Sequence, residues 1–423
     1  MTSTPQSVLR RFLEIAVTVC VVAACSNATT NQVGPAWPEY RGDLARDGDA
    51  HGSTLDPGGA SKLGLAWRAH LDGAVDGTPA IAGGLVIAGS AGGTLGAIDE
   101  RTGHAVWSVH GLGSIASSPT IDSNRVYVTT LAGDAYAFDL HGKRLWDWAG
   151  PPNSALWASP VVYRGEVVIG VASRYGDAPL VAGRLYGLDA STGKVRWTEC
   201  LRADCAAGDG VWSTASIDSS GTAFVGVGNP DDGVLALDAV TGQRKWMTTL
   251  YADRDRDLDV GASPVLFELG GSEVLAQATV EGMFALLDAR TGNVIWSREL
   301  VAGSAVHGLF ASAYDGTLYA VSASAPTGIF AIDPASGSTR WEQATDLPVY
   351  SAPAVGSGIV VFGTGNVFGD FSTGSLLALS TTDGRALWTY DTHSAVRSGP
   401  AIAANLVVVG DYAGDVMAFS PRR

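Results

Sequence analysis

The residues best suited to chemistry lie near the middle of the chain. Residues 252–259 read ADRDRDLD, and Asp253, Asp255 and Asp257 alternate there as oxygen donors to a hard cation such as Ca2+ would. The run lacks the glycine and distal glutamate of an EF-hand loop, with Pro264 standing where that glutamate would be. Alternating charges also suit a solvated loop, so Asp259 at its end has a structural reading beside the chemical one. The same is true of Trp212, which suits packing in a sheet, and of Asn229 in Asn-Pro-Asp-Asp-Gly, which is turn chemistry in its own right. Cys200 and Cys205, in TECLRADC, have no nearby histidine to complete a zinc site. In an exported chain they form a small local disulfide. The seven histidines are dispersed and show no metal-ligand spacing. No G-x-S-x-G, H-E-x-x-H, G-x-x-x-x-G-K or C-x-x-C-H occurs, which excludes a nucleophile elbow, a zincin helix, a P-loop and an attached haem.

The elements that must position these residues are written in a repeat. Trp67, Trp107, Trp146, Trp197, Trp246, Trp296, Trp341 and Trp388 follow one another at intervals of 39 to 51 residues. Most are preceded by one phrase: AIDERTGHAVW, GLDASTGKVRW, ALDAVTGQRKW and LLDARTGNVIW, with looser copies ending at Trp146, Trp341 and Trp388. A period of this size signals a repeat architecture. Short apolar segments such as LVIAG, VYVTT and VVIGV alternate with Gly-rich turns, as strands of a meander do. In the phrase, the Asp carboxylate accepts N–H groups of the turn, Gly supplies a positive φ, and the next strand carries a Trp to pack on a neighbouring sheet. Each unit is then about four strands, one blade of an all-β propeller.

After Trp388 three more strands remain, at 400–402, 406–410 and 415–419, while an orphan Trp strand, LAWRAH at 65–70, waits near the other end. Pairing them closes an eighth blade and leaves no open edge. The expectation is therefore an eight-bladed β-propeller of four-stranded antiparallel blades, with the last blade closed by an N-terminal strand.

Hydrophobic residues at 46%, charged residues at only 16% and 54 glycines suit such a fold. A net charge of -15 argues against nucleic acid or an anionic membrane surface as partner. Arg10 and Arg11 precede an apolar run over 12–24 that is short for a membrane span and has signal-peptide flanks. Val22-Ala23-Ala24-Cys25 resembles the lipobox of bacterial lipoproteins, although Glu14 interrupts the run. The expected organisation is a lipoprotein signal peptide over 1–24, lipidated Cys25, a tether over 25–36 and the propeller over 37–423. Export follows, with a lipid anchor as the only membrane contact. An ordinary signal cleaved nearby is the alternative.

The repeat phrase resembles the Trp-docking motif of the pyrroloquinoline quinone (PQQ) propeller family. That family includes quinoprotein alcohol dehydrogenases, polyvinyl-alcohol dehydrogenases and a non-enzymatic lipoprotein of outer-membrane protein assembly. The resemblance runs from Trp37 to the C-terminus, and WPEYRGDLARDG at 37–48 looks like the family's lead-in. Residues 211–230 are similar to the dehydrogenase segment that carries two cofactor contacts. By that resemblance Trp212 stacks on the quinone and Asn229 ligates Ca2+. Residues 255–267 are similar to the segment with the general base, which falls on Asp259. On a blade whose strands alternate in direction, these three positions share one face of the ring near its axis.

There are departures. No adjacent Cys-Cys pair caps the site, Val280 stands where the family has a cation, and Asp177 is the only acidic candidate for the remaining metal ligand. The resemblance thus implies PQQ and Ca2+ as cofactors, with an alcohol, polyol or polymer substrate and a separate electron acceptor. The alternative is a non-catalytic propeller that binds a protein partner at the cell envelope. A fold is a scaffold reused for unrelated tasks, so neither activity follows from it alone.

Overall fold

The computed structural model describes residues 36–175, 179–251, 258–304 and 308–422. Eight antiparallel sheets of four strands form a ring. Blades 1 to 7 occupy residues 80–109, 120–149, 161–200, 216–249, 265–299, 309–344 and 354–391. Blade 3 gains a short extra pairing from Ser154–Ala155. Blade 8 consists of Ala401–Ala403, Leu406–Gly410, Asp415–Pro421 and, from near the N-terminus, Leu63–His70. Within that last pairing Trp67 stands opposite Ala418 and His70 opposite Asp415, so the expected closure is present.

Burial follows strand position. Second strands such as Thr222–Val227 are buried throughout and read as near-continuous apolar runs, whereas the outer strand Arg244–Thr249 has no buried residue. The repeat phrase forms the turn between third and fourth strands. In blade 5, Asp288 Oδ1 accepts the backbone N–H of Thr291 at 2.8 Å and its hydroxyl at 2.7 Å. Trp246 of blade 4 then docks on this turn, its Nε1–H donating to the Ala289 carbonyl at 3.1 Å. Gly292, at φ 74, lies under that indole, and a Cβ there would fall 2.6 Å from Trp246 Cε3. The glycine is needed both for its left-handed backbone and for the closeness of the ring. The same contact recurs from Gly103 against Trp67 to Gly384 against Trp341.

The lead-in runs a circuit along the inner strands. Trp37 exchanges backbone hydrogen bonds with Ile81 of blade 1, and Ile121 of blade 2 donates to Pro38. Ile217, Leu266, Tyr314 and Val355, of blades 4 to 7, donate in turn to the carbonyls of Leu44, Ala45, Asp47 and Gly48. Thr54 reaches Ala404 in blade 8. Arg46 is fully buried in this circuit. Its Nη2 donates to Glu39 at 2.8 Å, its Nε to the Ala215 carbonyl at 2.9 Å, and its Nη1 to the carbonyls of Tyr40 and Asp43.

Candidate functional site

At the axis, the starts of the first strands carry a belt of hydroxyls. The backbone N–H of Thr78 donates to Ser118 Oγ, Ser118 to Ser159, Ser159 to Thr214 and Thr214 to Ser263, at 2.8 to 3.0 Å. These bonds join blades 1 to 5 around an axial cavity that opens to solvent. Tyr40 of the lead-in lines it, as do Trp157, Trp212, Phe310 and Tyr350, with Asp76 and Arg397 as the charged members. Aromatic walls with a few polar groups are the usual make-up of a small-molecule pocket.

Trp212 precedes the first strand of blade 4, Asn229 lies between its second and third strands, and Asp259 is in the connection to blade 5. The structure brings the three together. Asp259 Oδ2 accepts the indole Nε1–H of Trp212 at 2.7 Å, and Oδ1 accepts the backbone N–H of Asn229 at 2.9 Å. All three are half-buried. Trp212 lines the cavity directly, Asp259 joins it at the indole edge, and Asn229 is tied to Asp259 through its backbone N–H. The indole lies flush on Gly261, where a Cβ would fall 1.6 Å from Cζ2. Val280 is buried beside this group, its N–H donating to the Asp259 carbonyl at 3.1 Å.

Behind Asn229 stands a second acidic group. Asp209 donates its N–H to the Asn229 carbonyl, and its own carboxylate accepts the N–H of Asp231 at 3.3 Å. Burial, reinforced by the charge of Asp231, pushes Asp209 up to about 6. Cys200 and Cys205 form a disulfide with a Cα–Cα distance of 5.2 Å in the loop that leads to Asp209. Asp177, Asp253, Asp255, Asp257 and Cys25 lie outside the described residues.

Several features of the site have no counterpart in the sequence reading. Tyr175, from the loop between second and third strands of blade 3, stacks on Phe368 of the equivalent loop in blade 7 at 5.9 Å. Those blades are opposite in the ring, so the pair spans the axis. Phe368 meets Tyr350 edge-on and Tyr350 meets Phe310 at a tilt, which carries the aromatic run down to the cavity wall. Burial pushes the Tyr350 phenol up to about 12. The shared R-Y-G-D and V-F-G-D of the two loops is the one sequence signal that marks them. On the lead-in, Asp43, Asp47 and His51 also converge, with Asp47 buried and His51 exposed, and none of the three lines the cavity.

A closed ring of eight blades with docked tryptophans and an aromatic axial pocket is a PQQ-type propeller. A family model described as outer membrane protein assembly factor BamB matches residues 64–220, 148–305 and 280–423, and the chain belongs to that family. Among relatives, it is 25% identical over 362 residues to the polyvinylalcohol dehydrogenase of Sphingopyxis sp. (strain 113P3), covering 68% of this chain and 55% of the relative. It is 26% identical over 234 residues to the outer membrane protein assembly factor BamB of Burkholderia pseudomallei (strain K96243), covering 54% and 57%. The chain thus spans little more than half the length of these relatives. The crystal structure of quinohemoprotein alcohol dehydrogenase from Comamonas testosteroni superposes with a TM-score of 0.79 at 18% identity, over 91% of this chain and 80% of that one, a likeness of fold.

Proposed function

We propose that the chain is an exported, lipid-anchored quinoprotein-type dehydrogenase that oxidises an alcohol or polyol and passes the electrons to a separate acceptor. The observation that carries this reading is the meeting of Trp212, Asn229 and Asp259 through one carboxylate, beside the axial cavity that Trp212 lines. Three residues separated along the chain share one carboxylate-centred group, on the face where a ligand can enter.

The residues present suit a planar quinone. Gly261 leaves the indole of Trp212 flat against backbone, so its other face is a platform for an aromatic ring. The hydroxyl belt and Tyr40 bound the cavity. The side-chain carbonyl oxygen of Asn229 is an oxygen donor of the kind Ca2+ takes, with Asp177 as a further ligand by the sequence resemblance. When bound, PQQ with Ca2+ supplies a two-electron acceptor whose carbonyl is polarised by the cation. Trp212 orients the ring, and Asp259, held by two N–H donors, takes the proton of the substrate hydroxyl. The apolar run over 12–24 and the Val22–Cys25 tetrapeptide support export and anchoring through Cys25.

The family match with an assembly factor supports a second reading, a non-catalytic envelope scaffold that binds a protein partner. Reconstitution decides between them. The protein is titrated with PQQ and Ca2+, followed by absorbance and melting temperature, and assayed for dye reduction with alcohols. The expected outcome is a bound chromophore, a raised melting temperature and turnover that Asp259→Ala lowers by roughly 10²–10⁴-fold with the fold intact. Absence of both a bound chromophore and a change in melting temperature would overturn the dehydrogenase reading and leave the scaffold.

A further inference from the structure

Arg397 reaches the axial cavity from the connection between blades 7 and 8, and it is the one cationic side chain among the described residues lining it. Its Nη1 faces Asp76 Oδ1 at 3.8 Å, an ion pair too long for a hydrogen bond. Asp76 Oδ1 is itself buried and has no hydrogen-bond partner among the described residues. Of the two side chains, Arg397 is 32% exposed and Asp76 15%. Burial opposes the charge on Arg397, but Asp76 and the Tyr412 phenol outweigh it and hold the group above its ordinary value. The guanidinium is thus held charged by Asp76, which stands too far for a hydrogen bond, and by the Tyr412 hydroxyl, a hydrogen-bond partner that occupies only part of its donor fork. Its fork of N–H donors matches a carboxylate, which it can take bidentately.

The opposite side of the cavity is different in kind. Trp212 comes from blade 4, across the ring from the junction of blades 7 and 8, and offers a flat apolar surface. An occupant that spans the cavity therefore meets an aromatic platform at one end and a cation at the other. The position where the sequence resemblance would place a cation holds Val280, which is buried and apolar.

We infer that Arg397 is the counter-ion for a carboxylate of the axial ligand. The inference rests on the quinoprotein reading, in which that ligand is PQQ, a planar aromatic tricarboxylate. It assigns recognition of the anion to the side of the ring opposite Trp212.

The test compares PQQ with its uncharged trimethyl ester. Each is titrated into the full chain, with Ca2+ present, and binding is read from quenching of tryptophan fluorescence. Arg397→Met is expected to weaken PQQ about ten- to a hundred-fold, as loss of a charge-assisted contact does, while leaving ester binding within about twofold. Arg397→Lys should recover part of the loss, because it keeps the charge without the fork. In the unsubstituted protein, added salt should weaken PQQ and spare the ester, a measurement that needs no variant to fold. Equal affinity of the unsubstituted protein and Arg397→Met for PQQ overturns the inference and leaves the quinoprotein reading standing. Equal losses for PQQ and ester also overturn it, since Arg397 would then act on cavity shape. Failure of the unsubstituted protein to bind PQQ overturns the reading, and the inference with it.

Discussion

At the scale of single residues, the site depends on a side chain that is absent. Gly261 has no Cβ, and the indole of Trp212 occupies the space one would need, 1.6 Å from Cζ2. No rotation of a methyl group relieves such an overlap, so in Gly261→Ala the indole must swing away or the backbone must shift. Either movement breaks the 2.7 Å bond from Trp212 Nε1 to Asp259 and tilts the platform. Overpacking of this kind costs about 1–3 kcal/mol. We expect Gly261→Ala to lower the denaturant midpoint modestly and to weaken PQQ binding by more than about tenfold, since stacking on an aromatic face is worth about 0.5–1.5 kcal/mol beyond buried area and the carboxylate is displaced as well. Titration of PQQ against tryptophan fluorescence checks it. An alanine variant that binds PQQ as tightly as the parent would mean that the indole is not the platform.

At the scale of elements, the unit is a strand, a turn and a docked tryptophan. Gly292 and Gly270 separate two effects that usually travel together. Both have positive φ, 74 and 61, but a Cβ on Gly292 meets the Trp246 indole at 2.6 Å, whereas one on Gly270 meets nothing within 4 Å. Gly270→Ala should therefore show the cost of the backbone alone, about 1 kcal/mol. Gly292→Ala should add the cost of displacing a docked ring, about 1–3 kcal/mol more. Urea denaturation of the two variants measures the difference, and equal losses would mean that the turn needs glycine for its backbone only. This unit is also why the fold is legible in the sequence. Asp, Gly and Trp each have one mechanical role at fixed offsets, so seven copies of the phrase announce seven blades, and LAWRAH, a Trp strand without the phrase, announces the strand that closes the eighth. The grouping of Trp212, Asn229 and Asp259 is legible for the same reason, since strand alternation puts all three on one face. Arg397 is not legible. It stands alone in SAVRSGP, and its partner Asp76 belongs to the opposite end of the chain, so only ring closure brings the pair together. The Tyr175–Phe368 span is hidden likewise, because stacking across an axis leaves no spacing in one segment.

At the scale of the molecule, the ring is held by more than its seam. Closure of blade 8 rests on backbone pairing between Leu63–His70 and Asp415–Pro421, and no covalent link crosses it. The lead-in adds a second tie, because its carbonyls accept the N–H groups of Ile217, Leu266, Tyr314 and Val355 in four successive blades. Arg46 organises that tie. It bonds to Tyr40 and Asp43 within the lead-in, to Ala215 at the start of blade 4, and to Glu39, whose carboxyl is raised above its ordinary value by burial despite the pairing. Arg46→Met removes the cation and leaves Glu39 buried with no counter-charge from that side chain, a change that typically costs about 3–5 kcal/mol. Adding Glu39→Gln should return part of it, because the stranded charge is gone. If the lead-in acts as one strap, the loss will not stay near Arg46. The amides of Ile217, Leu266, Tyr314 and Val355 should lose hydrogen-exchange protection together in Arg46→Met, although Tyr314 and Val355 belong to blades that Arg46 does not touch. Loss of protection confined to Ile217 would show separate local contacts instead. Cooperative loss across all four would show that the segment opening the propeller also fastens its ring, and so keeps Tyr40 in place beneath the axial cavity.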